Sequence, residues 1–168
     1  FDDGLSCHYN YVFPELIKRN IKAVFFIPSA PFINKNMLQV HKAHCVYGSL
    51  GYEAFRKNFL LTAGLDLKYF DKIYSTPNAK KAYPFDNKQI AIFKYAINYI
   101  LDPQLTKDVL NEIFENLKKL DEIKKTFYLS KKEIEYMSRK GMEFGFHGHS
   151  HRPFSKISRE DLKQEFKN

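Results

Sequence analysis

Ile21-Lys22-Ala23-Val24-Phe25-Phe26-Ile27-Pro28 is the stretch that decides the fold class. Apolar and rich in strand formers, broken only by Lys22 and ended by Pro28, it predicts a strand buried on both faces. Upstream, Tyr9, Val12, Phe13, Leu16 and Ile17 recur at the i, i+3, i+4, i+7, i+8 spacing of a core-facing helix. Pro14 interrupts that stripe and is tolerated only in a first turn, which moves the predicted helix start from Tyr9 toward Phe13. Before it, Phe1-Asp2-Asp3-Gly4 reads as the end of a strand entering a loop. Strand, helix and strand within 28 residues form a βαβ pattern, so an α/β fold with a parallel sheet or barrel is expected.

From residue 34 to 125 the pattern turns helical, with helices expected over 36–43, 52–61, 88–101 and 105–120. Asp102-Pro103 separates the two longest, and Ser75-Thr76-Pro77-Asn78 and Ala82-Tyr83-Pro84-Phe85 read as loops. Ser130 and Glu133 make a capping box for a helix ending near Lys140, with Gly141 as its left-handed stop. A short strand over 142–146 follows, and Ser158 with Asp161 starts a last helix.

The 168 residues suit one domain of about 100–200 residues, which excludes a multi-domain machine. Sixteen phenylalanines and eleven tyrosines are too many for a disordered chain. A net charge of +8 favours acidic partners such as nucleic acid, anionic lipid or an anionic glycan. The lysine pairs 80–81, 118–119 and 124–125 are dispersed and read as solvated faces; with no zinc finger, helix-turn-helix or aromatic RNA-binding motif beside them, no nucleic-acid partner is expected. No stretch of 18 uncharged apolar residues occurs, so no transmembrane segment is expected. The chain opens inside a strand-like segment and reads as a piece of a longer protein. Cys7 and Cys45 lack metal-ligand spacing and are expected to be free thiols.

Two short segments carry chemistry. His147-Gly148-His149-Ser150-His151 places three of the six histidines in five positions. As a helical turn or tight loop it pairs His147 with His151; as an extended segment it adds His149 on the same face. Imidazoles so placed suit zinc or a related divalent ion, and the alternative is a histidine-rich surface loop. Asp2-Asp3-Gly4 is by itself a turn signal. Adjacent carboxylates at a strand end diverge, however, so one can bind a metal while the other serves as a base. In a parallel α/β barrel the carboxyl ends of different strands converge, which brings Asp3, His147 and His151 within reach of one another.

These segments and their flanks resemble the polysaccharide deacetylase, or NodB-homology, domain of carbohydrate esterase family 4. The likeness covers about residues 1–33 and 126–168: Phe1-Asp2-Asp3-Gly4 and the strand 21–27, then Tyr128-Leu129-Ser130, Glu143-Phe144-Gly145-Phe146, the histidine motif and Ser155-Lys156-Ile157-Ser158. Gly148 stands where the family motif has serine or threonine. The resemblance implies a partial, distorted (β/α) barrel as a single domain over 1–168, with a mostly helical insertion over 34–125. It also implies Asp2 as catalytic base, Asp3, His147 and His151 as metal ligands, and zinc as the most fitting metal.

The implied activity is metal-dependent removal of N-acetyl groups from an acetamido sugar in a bacterial polysaccharide or glycan precursor, in the cell envelope or the cytoplasm. The alternative is a non-catalytic carbohydrate-binding or scaffold domain that keeps the fold. The family's later motifs, which supply an arginine and a histidine general acid, fall beyond residue 168. Exposed sheet edges are therefore expected to be covered by the insertion, by a homo-oligomer or companion chain, or by further residues. His149 is expected to support the ligands or face substrate. His8, His41 and His44 are expected to be solvent-exposed or cap-bonded, and Cys7 to be a small buried residue.

Overall fold

Pro14 has no backbone N–H to give to the preceding turn, and the helix around it is built accordingly: a π-helical turn, His8–Val12, runs directly into α1, Phe13–Lys18, with Pro14 at its start. The structure, a computed structural model, describes residues 1–167. Strand β1, Val24–Ile27, and helix α2, Ala30–Asn34, follow α1. Helices α3 (Gln39–Leu50), α4 (Tyr52–Thr62), α5 (Phe70–Tyr74), α6 (Pro77–Ala82), α7 (Lys88–Tyr95) and α8 (Pro103–Glu115) come next, α7 continuing into a π-helical segment, Ala96–Ile100. Then come α9 (Asp121–Thr126), α10 (Lys131–Arg139), strand β2 (Glu143–Phe146) and α11 (Arg159–Lys167). No helix among the described residues is long and apolar enough to cross a membrane.

The expected partial (β/α) barrel is not found. The protein is mainly helical, and among the described residues its sheet consists of two short parallel strands, β1 and β2, with Val24 opposite Glu143 and Ile27 opposite Phe146. Asp2 adds an isolated parallel bridge to Phe26 on the other side of β1. Two strands and a bridge cannot close a barrel, and the residues between them spend their backbone hydrogen bonds in helices. The run expected to be buried on both faces is buried on one: Phe25 is fully buried, whereas Val24 and Phe26 are 37% and 41% exposed. Continuous apolar character is the same for a strand covered once or twice, so the sequence did not distinguish them.

The chain divides into two compact units, Phe1–Leu38 with Asp121–Asn168, and Gln39–Leu120. In the first, Phe13, Phe25, Leu129, Met137 and Met142 form the core, with Tyr9, Leu16 and Phe144 packed against it. Helix α10 is delimited by local chemistry on both sides. The Ser130 hydroxyl accepts from Glu133 N, and the Glu133 carboxylate accepts from Ser130 N at 2.6 Å, the capping box the sequence called for. At the other end Met142 N donates to Met137 O and Gly141 N to Ser138 O, with Gly141 at φ 91°; the buried Met137 and Met142 close this Schellman turn. Replacing Ser130 with alanine is expected to cost about 1 kcal/mol of stability, read by denaturant unfolding. In the second unit the Phe93 ring is central, with Phe55, Phe59 and Phe70 at centroid distances of 5.4, 5.5 and 6.0 Å.

Candidate metal centre

The centre is assembled where the parallel segments end. After the Asp2–Phe26 bridge the chain turns sharply through Asp3, at φ 75°, and Gly4, at φ 63°. On the opposite side of β1, His147 follows β2 directly and its N–H donates to Ile27 O at 3.0 Å. Asp3 and His147 thus leave the sheet one strand either side of β1, backbones separated by roughly 10 Å, a gap their side chains span. Asp3 Oδ1 lies 3.4 Å from His147 Nε2 and 3.1 Å from His151 Nε2. One donor atom from each of the three residues falls within 4.8 Å of the others.

That spacing can be tested against metal geometry. Zinc bonds to nitrogen and oxygen of about 2.1 Å at tetrahedral angles place ligand atoms about 3.4 Å apart. The two carboxylate-to-imidazole separations are close to that edge, and two imidazoles with one carboxylate are a borderline-metal donor set that leaves positions open. The residues present therefore fit a divalent ion. Asp3 Oδ1 is screened from solvent, whereas the two imidazoles are about one-third exposed.

Backbone strain is concentrated in the same residues. The non-glycine positions with positive φ are Asp3, Asn20, Lys35 and His151 among the described residues. Asn20 and Lys35 end helices, where the left-handed conformation is common. Asp3 and His151, at φ 75° and 60°, hold it in the centre itself, at a cost of roughly 1–2 kcal/mol each.

The histidine loop is fixed from two directions. Ser29 N and Ala30 N, at the start of α2, donate to Gly148 O and His149 O at 3.2 and 3.0 Å, and Ser29 Oγ lies 2.9 Å from His149 Nδ1. From α11 the buried Glu165 carboxylate accepts from His149 N at 2.7 Å, from Ser150 N at 2.8 Å and from the Ser150 hydroxyl. Gly148, at φ 72°, suits this clamp: a Cβ there would meet Glu165 Oε2 at 3.4 Å in a conformation unfavourable to other residues. Sequence reasoning missed both Glu165 and Ser29. The available signal was that Glu165 follows Leu162 by three positions and so shares a helix face with an apolar residue. Replacing Glu165 with alanine is expected to loosen the loop and lower zinc affinity about 10–100-fold, measured by chelator competition, with glutamine losing less because it keeps an acceptor oxygen. Unchanged affinity in the alanine variant would show that the clamp does not position the ligands.

Other side chains fall differently from their sequence readings. Asp2 is exposed beside the centre. His149 is held by Ser29 and is not in the group of three. His8, expected at the surface or in a cap, is buried against the stacked rings of Phe1 and Phe25, each 5.7 Å away, and its Nδ1 has no hydrogen-bond partner. Burial, and after it the charge of the Phe1 ammonium, hold its pKa below the ordinary histidine value against the opposing pull of Asp3 and Asp2. His41 is likewise buried, because its place on α3 faces inward; His44 is exposed. Cys7, expected to be buried, is exposed, and both cysteines are free thiols. No family model, curated protein or solved structure matches the chain.

Proposed function

We propose that the chain is a divalent-metal hydrolase that removes N-acetyl groups from an acetamido sugar, the activity implied by its resemblance to polysaccharide deacetylases. The observation that carries the reading is the approach of His147 and His151, both within 3.4 Å, to one carboxylate oxygen of Asp3, from segments almost the whole chain apart. Two imidazoles and a carboxylate would hold zinc, which when bound supplies Lewis acidity, polarising a carbonyl and making water a stronger acid. Asp2, exposed and next to Asp3 in the chain, serves as the base that takes the proton from the attacking water. The water oxygen adds to the acetamide carbon, the carbon–nitrogen bond breaks, and the proton passes to the leaving nitrogen, giving acetate and a sugar amine. Glu165 and Ser29 keep the histidine loop in place and take no part in the bond changes.

The test is acetate release from an N-acetylated chito-oligosaccharide by the zinc-loaded protein. Release that disappears when zinc is stripped and returns when it is restored is expected. Stoichiometric zinc binding without any release would instead support a non-catalytic domain on the same centre.

A further inference from the structure

The open face of the sheet carries one large ring beside the metal centre. Parallel pairing sets Asp2 next to Phe26 and Phe26 next to Gly145, so these three residues form a row across the sheet and stand on the same face of it. Phe26 is 41% exposed on that face, whereas Phe25, on the other, is fully buried. A single exposed apolar residue is ordinary and needs no explanation by itself. The surroundings of this one are specific. A Cβ on Gly145 would come within 2.7 Å of Phe26 Cδ1 and Cε1, so the ring lies over the Gly145 backbone, in space that any other residue there would fill. Its centroid is 6.5 Å from the ring of the ligand His147, and its partner across the other pairing is Asp2, the proposed base. A substrate that meets both the base and the metal therefore lies beside Phe26.

The chemistry of a phenyl ring limits what it can hold there. It offers neither a hydrogen bond nor a charge, only an apolar surface whose face is electron-rich. The matching surface is a sheet of C–H bonds polarised by neighbouring oxygens, which a pyranose with equatorial substituents presents through its axial protons. We infer that Phe26 is the platform on which the sugar ring carrying the acetamide stacks, and that it selects pyranosides with such an unbroken C–H face. The identity of the ligand as a sugar rests on the deacetylase reading; the position of the platform rests on the row Asp2, Phe26 and Gly145.

The experiment uses the zinc-loaded chain and tri-N-acetylchitotriose. Binding is measured by calorimetry in an Asp2→Asn background, where the sugar is not consumed, and turnover by acetate release with Asp2 in place. Phe26→Ala is expected to weaken binding about tenfold, and Phe26→Tyr, which keeps the ring, to stay within about threefold of the parent. In turnover the loss should fall on KM rather than kcat, because a stack made alike in ground and transition states is uniform binding. Saturation transfer from aromatic protons to the axial protons of the sugar should fade in Phe26→Ala. Zinc affinity by chelator competition should stay within about threefold in both variants, since the ring is no ligand. Binding and KM unchanged in Phe26→Ala would overturn the platform while acetate release upheld the deacetylase reading. Sugar binding that depends on Phe26, with no acetate release, would keep the platform and overturn that reading. Absence of sugar binding in the Asp2→Asn parent, or equal losses of zinc affinity and binding in Phe26→Ala, would also overturn the platform.

Discussion

Zinc affinity is expected to fall by at least about 100-fold when either His147 or His151 is replaced by alanine, more than the 10–100-fold typical of losing a group that only supports a ligand. The three donors come from two segments far apart in the chain, and Asp3 Oδ1 faces both imidazoles at 3.4 and 3.1 Å. Removing one leaves two donors, too few to outcompete water and chelators for a metal that takes three or four protein ligands. Chelator competition reads the loss directly. His151 sits at φ 60°, where alanine is strained, so His151→Gly is the second variant: it removes the donor without forcing a side chain into the left-handed region. Equal loss in both variants is expected. His149→Ala should cost about tenfold or less, since that ring bonds Ser29 and stands outside the group of three.

The second large effect separates binding from turnover. Asp2→Asn keeps size and shape and removes the ability to take a proton, so acetate release is expected to drop about 10²–10⁴-fold, the range for loss of a general base. Its zinc affinity should stay within about threefold of wild type, because Asp2 is outside the group of three. His147→Ala, by contrast, should lose both. A variant Asp2→Asn that hydrolyses at the wild-type rate would remove Asp2 from the chemistry and leave the metal assignment intact.

Features written in adjacent residues were legible in the sequence. The capping box of Ser130 and Glu133, the left-handed stop at Gly141, the break at Asp102-Pro103 and the Ser158 cap on Asp161 N all occur as read, because each is settled within a few residues. Local signals misled where one pattern serves two structures. Ser75-Thr76-Pro77-Asn78 looked like a loop; Thr76 instead caps α6, accepting from Asn78 N, with Pro77 in the first turn. The helix expected over 36–43 begins later and runs to Leu50 through Gly48, since burial of Val46 outweighs the weak propensity of one glycine. Whether the 21–27 run is covered on one face or two depends on what packs on the sheet, which no window of sequence contains. The same limit hid Glu165, whose partners lie in another element, and Ser29, 120 positions from His149. Asp3, His147 and His151 were recoverable because Asp3 and His147 sit where parallel segments end, with His151 in the loop that follows, and segments paired in parallel bring such ends together even without a barrel.

X-ray absorption at the zinc edge, on protein loaded with one equivalent, tests the central claim most directly: that Asp3, His147 and His151 hold a divalent ion. The prediction is a nitrogen and oxygen shell at about 2.0–2.1 Å with the outer scattering of two imidazoles, reduced to one in His147→Ala. A sulfur shell at about 2.3 Å, which would place the metal on Cys7 or Cys45, or a spectrum unchanged in His147→Ala, would contradict it.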